Sequence, residues 1–521
     1  MDELSQARAE LALLEEQAQR LLKELLHVRA AVATQRAKVD ELIRTRPTAF
    51  NLIPTEILLC ILNLDVRACH HPKRKYQLAG VCQRWKNIIL DSPSFWTTIH
   101  VATSASSIMT HLERSRGALL DIIIEASLWS QSNHLALDPS LDIVGPLAHR
   151  WHRLSITRVG YSGYDEEDED EDNHMALAEF ITTRINHLQF PSLKYVAISF
   201  CNTSLDFLSP ARAPALEHLE LDEFVAAHTD FPSVTALKTL KLDCHNSPLD
   251  YLLFPYPIPT QALTELSISG LTKAFSPQPN SIHLPSLKTL EISRLAKASQ
   301  FMDAIIAPNL ERFKYTYSGS DDQPSVALGG FHSKFTSVRH LSLYHTTDRY
   351  IPKPLYTDAF AVCEAFPGVR HVELKTDRLS HLFDPTLKNG RARRPIDLWT
   401  ELESLTFYGE DPQWLGHCQF SNWLVERNAL GLRKLRVKLV CLSEHVRPNR
   451  STDSNFLCLY EDLKENCILE LDNFLLSLPE MHLYMPVKSR LRVVSTSFPL
   501  AGLYSPYMCL AFAETNIRTY G

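Results

Sequence analysis

The side chains best suited to chemistry, the histidines and cysteines, do not group into a recognisable reaction centre or metal centre. Cys69-His70-His71 supplies three potential metal ligands, but adjacent side chains diverge and no second ligand cluster stands at zinc-finger spacing. The 22 histidines are spread along the chain, and several precede an apolar strand position: His218, His340 and His371. Their place in a repeating pattern explains them better than proton transfer does.

Sequence motifs that cradle phosphate or activate a nucleophile are missing as well. The chain contains no Gly-x-Gly-x-x-Gly, no Gly-x-x-x-x-Gly-Lys-Ser/Thr, no His-Glu-x-x-His and no Gly-x-Ser-x-Gly. Its 16 glycines in 521 residues also argue against phosphate-binding loops. We therefore expect no catalytic residue, no metal site and no cofactor, and we predict that the protein is not an enzyme.

Composition and charge narrow the class of protein and of partner. With 45% hydrophobic and 22% charged residues the chain can bury a large core, which excludes wholesale disorder. Its formal net charge of −7 provides no broad basic field, so we expect no nucleic-acid partner. Two short basic runs, Lys73-Arg74-Lys75 and Arg391-Ala392-Arg393-Arg394, lie beside prolines and lack interleaved aromatics, so we interpret them as solvated loops.

The cysteines and the apolar runs bear on the compartment. Eleven cysteines, an odd number, are scattered without a Cys-x-x-Cys pair, which favours free thiols in a reducing environment. The chain starts with an acidic, heptad-patterned segment rather than a secretory signal, and no uncharged apolar run is long enough to span a bilayer. We expect a cytoplasmic or nuclear protein with no membrane partner.

Eight consecutive acidic residues run from Asp165 to Asp172. Mutual repulsion predicts an extended, solvated loop. Binding of a basic partner is the less favoured alternative. Binding of calcium is less favoured still, because the glycine and ligand spacing of a calcium loop is absent.

A heptad pattern covers the N-terminal segment. Eleven of twelve seam positions spaced three and four apart are apolar: Leu4, Ala7, Leu11, Leu14, Ala18, Leu21, Leu25, Val28, Val32, Gln35, Val39 and Leu42, with Gln35 the exception. We predict a coiled-coil helix over residues 1–46, ended by Pro47. Self-association into a homodimer through residues 4–42 is the favoured role. Docking on the protein's own body or a loosely helical tail are the alternatives.

A second pattern, apolar-x-x-apolar-x-apolar, recurs over residues 97–440. Its clear members start at Leu193, Leu216, Leu237, Leu263, Leu287, Leu310, Val338, Val369, Leu402 and Leu432, and two weaker ones start at Leu119 and Trp151. Successive units begin 21 to 26 residues apart as far as Leu310 and 28 to 33 residues apart beyond it. This period is typical of leucine-rich repeats, although their consensus asparagine is absent.

Such a unit predicts one short strand. Its last two apolar residues point to the same face, and the first one fills the turn before the strand. Because a single unit cannot bury this face alone, the units must stack into a solenoid with a strand-lined concave side. Another kind of parallel α/β array is the alternative. Residues 441–521, which contain Phe474-Leu475-Leu476 and Leu491-x-Val493, are predicted to be irregular terminal repeats that cap the core.

The residue between the two strand positions should face outward. These residues are Glu220, Lys241, Ser267, Glu291, Lys314, Ser342, Glu373, Thr406 and Arg436. Their mixed charges and hydroxyls suit a protein partner better than a uniformly charged polymer. We therefore predict a target-binding surface on the concave face, carried by Glu220, Lys241, Glu291, Lys314, Glu373 and Arg436.

The segment from residue 48 to 96 has a pattern of its own. Ile53-Pro54-x-Glu56-Ile57-Leu58 predicts a helix start, since proline lacks only a donor that is unpaired there and glutamate favours the helix dipole. A second helix is predicted from Tyr76 to Leu90, around Val81-Cys82-x-x-Trp85, and Trp96 follows. Two such short helices cannot bury all of their apolar surface by themselves.

These residues resemble an F-box, the helical module that docks on a Skp-type adaptor and through it on a cullin. The resemblance implies the following adaptor-binding residues: Ile53, Pro54, Ile57, Leu58, Ile61, Val81, Cys82 and Trp85. Trp96 matches an aromatic position of the family, and for Trp85 and Trp96 core packing is the favoured main role. The chain departs from the family in having Ile53 where leucine is usual and in its long, basic connection from Asp65 to Tyr76.

The predicted architecture is a coiled-coil helix, then a helical F-box, then an α/β solenoid of leucine-rich-repeat type. This order resembles that of many fungal proteins, in which degenerate leucine-rich repeats follow an F-box. The favoured function is that of a non-catalytic substrate-recognition subunit of a Skp-cullin-F-box ubiquitin ligase, with an unknown protein as substrate. The alternative is an interaction scaffold whose helical module only caps the solenoid. An enzyme would require a cleft lined by buried titratable groups, which the sequence does not predict.

Overall fold

The computed structural model is of mixed α/β class, with helices first and parallel strands after them. It describes residues 2–45, 53–69, 73–101, 104–125, 134–157, 171–199, 205–222, 236–244, 261–270, 277–295, 297–317, 324–332, 334–345, 359–375, 380–388, 391–409, 419–441 and 461–472. The chain divides into two compact units. The first unit comprises Met1–Arg370 and Arg393–Glu401, and the second comprises His371–Ala392 and Leu402–Gly521.

Ten strands of the first unit form a parallel sheet in the order in which they occur along the chain. They are β1 (Thr98–His100), β2 (Leu120–Glu125), β3 (Trp151–Thr157), β4 (Tyr195–Ser199), β5 (His218–Asp222), β6 (Thr239–Asp243), β7 (Glu265–Ser269), β9 (Thr289–Ser293), β11 (Arg312–Tyr317) and β12 (His340–His345). A separate pair is formed by β8 (Ile282–His283) and β10 (Ile305–Ile306). The predicted run of parallel strands is therefore confirmed in this unit.

The repeat pattern explains the packing of these strands. In the sheet strands β5, β6, β7, β9, β11 and β12, apolar side chains that point to one face are buried, and the residues between them are partly or fully exposed. The leading apolar residue of each clear repeat from Leu193 to Val338, for example Leu216 or Leu287, is fully buried as well. The weak repeat that starts at Leu119 does not follow this pattern. Leu119 is exposed and Leu120 is buried instead, beside a register shift between Leu120 and Asp121.

A recurring backbone arrangement holds the strands in register. The carbonyl of Lys194 accepts from the amides of Glu217 and His218, and the carbonyl of Glu217 accepts in turn from Lys238 and Thr239. The same two-amide contact recurs one repeat further on at the carbonyls of residues 238, 264, 288 and 311. Because each of these repeats accepts from the next at the same position, the turns before their strands stack with the strands.

Several helices lie between or after the strands in the described part of the first unit. The helices are α5 (Ala105–Arg114), α6 (His134–Val144), α7 (Glu171–Ile185), α8 (Ala298–Ala304), α9 (Pro324–Leu328) and α10 (Ala359–Ala365). They are preceded by α1 (Glu3–Thr45), α2 (Thr55–Ala68), α3 (Arg74–Ala79) and α4 (Gln83–Asp91). The predicted N-terminal helix is thus present, and every described side chain between Glu3 and Leu42 is exposed.

The second unit contains a shorter parallel run. Its strands pair in the order β13 (His371–Lys375), β16 (Ser404–Gly409), β17 (Arg436–Cys441) and β18 (Ile468–Asp472). The chain also forms β14 (Thr386–Lys388), β15 (Arg391–Arg393) and α11 (Phe420–Ala429). Rings of Phe383, Phe407, Phe420 and Trp423 pack together with centroids 4.8 to 6.5 Å apart.

Three expectations about particular segments require correction. Lys75 is buried, and Arg391–Arg393 is a strand, so neither basic run is simply a solvated loop. Leu432 is exposed, and Leu435 fills the turn before β17 in its place. The acidic run enters α7 at Glu171, while its first six residues lie outside the described part of the chain.

Other expectations concern metal sites, membrane-spanning helices and free cysteines. Among the described residues, no group of histidine, cysteine, aspartate or glutamate side chains is arranged to hold a metal ion. His70 and His71, Phe474-Leu475-Leu476 and Leu491-x-Val493 lie outside the described residues. Within the described ranges no helix is both long enough and apolar enough to cross a membrane. Free cysteines occur at Cys60, Cys69, Cys82, Cys244, Cys363 and Cys467.

Candidate functional site

Helix α2 begins where the sequence predicts. Pro54 is its N-cap, the amide of Leu58 donates to the Pro54 carbonyl at 3.1 Å, and Glu56 lies in the first turn. The predicted second helix is instead two helices, α3 and α4, so its extent was wrong. Gly80 ends α3, and Cys82 has extended backbone angles that break the helical path before Gln83.

The helices α2, α3 and α4 enclose a small apolar core. It consists of Leu58, Leu62, Leu78, Ile88, Ile89, Phe95 and Trp96. Partly buried side chains, among them Ile53 and Trp85, pack against it. The core explains the spacing of the motif, because the buried positions of α2 and α4 are those that meet Phe95 and Trp96.

Trp96 lies at the centre of the contacts that join this module to the first repeat. Its indole Nε1 donates to the Ile89 carbonyl at 2.8 Å, and its ring meets the edge of His111 with centroids 5.2 Å apart. The charged groups of Lys75 and Arg114 lie 4.7 and 4.6 Å from the ring centre, in cation–π geometry. Since His111 and Arg114 belong to α5, the tryptophan fixes the module to the start of the sheet.

Lys75 and His111 form a buried polar pair in the same place. The Lys75 Nζ donates to the Phe95 carbonyl at 3.1 Å and lies 2.9 Å from Nε2 of His111. Nδ1 of His111 lies 2.9 Å from the carbonyl of Thr98 in β1. Because a carbonyl only accepts, Nδ1 carries the ring proton and Nε2 accepts from the lysine.

Burial shifts the pKa of both groups downward. The pKa of His111 falls to about 4, first because of burial and second because of the charge on Lys75. The pKa of Lys75 falls to about 8 because of burial. Both shifts disfavour the charged form, as expected for cations removed from water.

We expect the module to lose stability in mild acid. His111 binds a proton near pH 6.5 in the unfolded chain but only near pH 4 in the folded one, so stability falls as the pH drops from 6.5 towards 4. The shift corresponds to about 3 kcal/mol at full extent. Amide hydrogen exchange of α4, compared at several pH values with a His111→Gln variant, measures the effect. An equal acid loss in the variant would assign it to other groups.

A stripe of apolar side chains on the outer side of α2 remains uncovered. Ile57 is 53% exposed, Ile61 48% and Leu64 68%, at i, i+4 and i+7 along one helix face. Cys60 on the same helix is exposed as well. Before α4, Val81 is 61% exposed and Cys82 is also open to solvent. We call Ile57, Cys60, Ile61, Leu64, Val81 and Cys82 the outer face of the module.

The structure divides the predicted adaptor-binding residues into two groups. Ile57, Ile61, Val81, Cys82 and Pro54 are exposed, whereas Ile53 and Trp85 are half-buried against the core. Leu58 is only 1% exposed, so in the free chain it packs in the core rather than on the surface. Leu64 and Cys60, which were not singled out from the sequence, are exposed on the same helix as Ile57.

A second candidate surface is the outward face of the sheet in the first unit. Two pairs of the predicted residues meet across neighbouring strands: Glu220 lies 3.5 Å from Lys241, and Glu291 lies 2.5 Å from Lys314. Their charges are thus largely neutralised by one another in the free protein. In the second unit Glu373 pairs in register with Thr406, and Thr406 with Lys438.

Two features of these faces were not foreseen. Tyr195 donates to Glu220 at 2.7 Å and lies under the Arg153 guanidinium, 4.1 Å from the ring centre. Burial, followed by Glu220, raises the pKa of Tyr195 to about 12. Arg436 is exposed as predicted, but it pairs with Ser404, so Lys438 rather than Arg436 continues the row of Glu373.

Comparison with known proteins identifies the helical module. Residues 50–102 match the family model described as F-box-like. No curated protein and no solved structure matches the chain. The match covers α2, α3 and α4, the core around Trp96, and β1. The chain therefore carries an F-box-like domain at residues 50–102.

Proposed function

We propose that the protein is a non-catalytic substrate-recognition subunit of a Skp-cullin-F-box ubiquitin ligase. The F-box-like domain docks on a Skp-type adaptor and through it on a cullin, and the repeat region binds a protein target. The observation that carries this proposal is the outer face of the module, a set of apolar side chains left exposed beside a core that is already closed. Such a complex acts in the cytoplasm or the nucleus.

The energetics of the outer face support docking. Ile57, Ile61, Leu64 and Val81 are about half exposed, and fully burying such a side chain is worth roughly 1.5–3 kcal/mol. Covering the remaining half of each adds about 4 kcal/mol in all, or nearly a thousandfold in affinity. Exposed apolar side chains grouped on one helix face, as Ile57, Ile61 and Leu64 are, are typical of a protein-binding site.

The contacts at Trp96 support a second part of the proposal. Lys75, Trp96, His111 and the Thr98 carbonyl join the module to α5 and β1, so an adaptor bound to the module stands in a defined place relative to the first strands. A target held on the first unit would then be presented at high effective concentration to the ubiquitin-transfer machinery.

For the target, we propose the outward face of a leucine-rich-repeat-like solenoid. The candidate residues are Glu220, Lys241, Glu291 and Lys314 in the first unit, and Glu373 and Arg436 in the second. Because Glu220–Lys241 and Glu291–Lys314 are already paired, recognition of a highly charged target would have to break these contacts. A target that offers hydrogen-bonding groups of both kinds to Tyr195, Ser267 and Ser342 fits this face better.

Titration of the full chain with a purified Skp-type adaptor tests the proposal. We expect saturable binding with one adaptor per chain and partial protection of Cys60 and Cys82 from a maleimide reagent. Cys244 and Cys363, which are buried, provide the unreactive reference. A folded chain that fails to bind adaptor at tens of micromolar, near the weak end of specific association, would refute the docking assignment.

The second candidate is a repeat scaffold in which the module only caps the sheet. The burial of Trp96 against His111 and the contact of His111 with the Thr98 carbonyl favour this role, because they cover the first strand. A cap alone, however, does not require exposed Ile57, Ile61 and Leu64. Absence of adaptor binding together with intact folding would favour the scaffold.

A further inference from the structure

The N-terminal helix presents an apolar seam that nothing in the described part of its own chain covers. Helix α1 is 43 residues long, and its described seam side chains are exposed, with Leu14 at 60% and Leu21 at 65%. The ion pair between Arg20 and Glu16, 2.6 Å apart, lies off the seam. Without a covering partner, a leucine-lined seam of this length leaves a continuous apolar stripe against water.

We propose that the partner is a second copy of this chain, and that the two α1 helices form a parallel, in-register coiled coil. The seam from Leu4 to Leu42 is roughly 57 Å long, and with a helix breadth of about 10–12 Å it offers on the order of 600–700 Å². A stable complex buries about 800 Å² per partner. One helix therefore supplies almost all of a standard interface.

Gln35, the single polar residue of the seam, favours a parallel, in-register pair of identical helices. Gln35 of one copy faces Gln35 of the other in a parallel, in-register pair, and the two amides can bond to each other. In an antiparallel pair with full overlap, Gln35 would face Leu11 and lose its hydrogen bonds in an apolar seam. A partner of unrelated sequence would have to supply a polar group at this one level.

The residues beside the seam are compatible with this arrangement. In a parallel pair Glu3 of one copy lies near Arg8 of the other, and Glu24 lies near Arg29, whereas Glu10 near Glu15 is repulsive. The antiparallel pair also combines attraction and repulsion, since Arg8 would approach Arg36. Flanking charge thus permits both directions, and Gln35 decides between them.

The proposal has a consequence for the F-box-like domains. Because α1 ends at Thr45 and α2 begins at Thr55, a parallel coiled coil places the F-box-like domains of both copies at its C-terminal end. The same pairing joins two repeat regions in one assembly, which would raise avidity for any target that offers two sites. This inference goes beyond adaptor docking and does not depend on it.

Two neighbouring leucines give a matched test. Leu14 is a seam residue and Leu13 is not, yet they are equally exposed on a single helix, at 60% and 59%. Light scattering of the full chain should give twice 59.2 kDa for wild type and for Leu13→Glu, but 59.2 kDa for Leu14→Glu. We expect the seam substitution to weaken association at least about 100-fold. Adaptor binding by Leu14→Glu should be unchanged.

Cysteine cross-linking tests the direction. Ala18→Cys should join two chains under mild oxidation, since the two residues 18 face each other in a parallel pair. In the antiparallel pair they stand about 15 Å apart, beyond disulfide reach. Ala30→Cys, off the seam, and wild type control for the native cysteines.

Four results would overturn the proposal. A wild-type monomer at tens of micromolar, a concentration that reveals even modest self-association, would exclude the pair. A mass above that of a dimer, or a Leu14→Glu dimer as stable as wild type, would exclude this seam as the dimer contact. Failure of Ala18→Cys to cross-link a persisting dimer would exclude the parallel register.

Discussion

Replacing Ile57 and Ile61 together by glutamate is expected to lower affinity for a Skp-type adaptor at least about 100-fold while the chain stays folded. Both side chains lie on the outer face of the F-box-like domain, so the change removes apolar area from the proposed interface and forces two carboxylates into it. The free energy of unfolding should change by less than about 1 kcal/mol, because glutamate has at least as high a helix propensity as isoleucine.

A matched pair of exposed apolar residues controls for charge and hydropathy. Met109 and Leu119 are 55% and 47% exposed, close to Ile57 at 53% and Ile61 at 48%, and they lie outside the helical module. In a calorimetric titration, the double variant Met109→Glu, Leu119→Glu should bind the adaptor with wild-type affinity. If both double variants bind equally, the outer face does not hold the adaptor.

Trp96→Ala is expected to destabilise the F-box-like domain by roughly 3–5 kcal/mol, the range for removing a buried tryptophan. The substitution opens the core against Leu58 and Leu62 and leaves the Ile89 carbonyl without its indole donor, which adds about 1 kcal/mol. It also releases His111 and Lys75 from the ring. Amide hydrogen exchange of α2 and α4 measures the loss locally, so strand stability elsewhere does not mask it.

Trp85→Ala provides the comparison, since Trp85 is only half-buried at the edge of the same core. We expect a clearly smaller loss of protection than for Trp96→Ala. Both tryptophan variants should lose adaptor affinity only as far as they unfold, unlike the glutamate pair on the outer face. Equal protection in wild type and Trp96→Ala would mean that the core does not depend on this residue.

Local spacing was sufficient for several predictions. The start of α2 after Pro54, the N-terminal helix and the succession of parallel strands follow from residue preferences and from periods of two and of about 24 residues. A strand pattern repeated many times leaves few alternatives, because only stacking of equivalent units buries all the apolar faces. The F-box-like motif was recognisable for the same reason, as a fixed spacing of core residues.

Other features depended on contacts between distant parts of the chain. Ile57 and Leu58 are adjacent, apolar and helical, yet one is exposed and the other buried, because Leu58 alone turns toward Phe95 and Trp96. Lys75, in a basic run, is 6% exposed because it reaches the Phe95 carbonyl and His111, 36 residues away. No local pattern encodes that pairing.

By itself, then, the amino-acid order determined the kinds of element and their succession, since helix and strand periods are properties of neighbouring residues. Only the tertiary structure decided which side of α2 is left for a partner, where the helix after Tyr76 breaks, and that Lys438 rather than Arg436 continues the row of Glu373. The physical reason is that burial and register are settled by whichever distant side chains fill the same space.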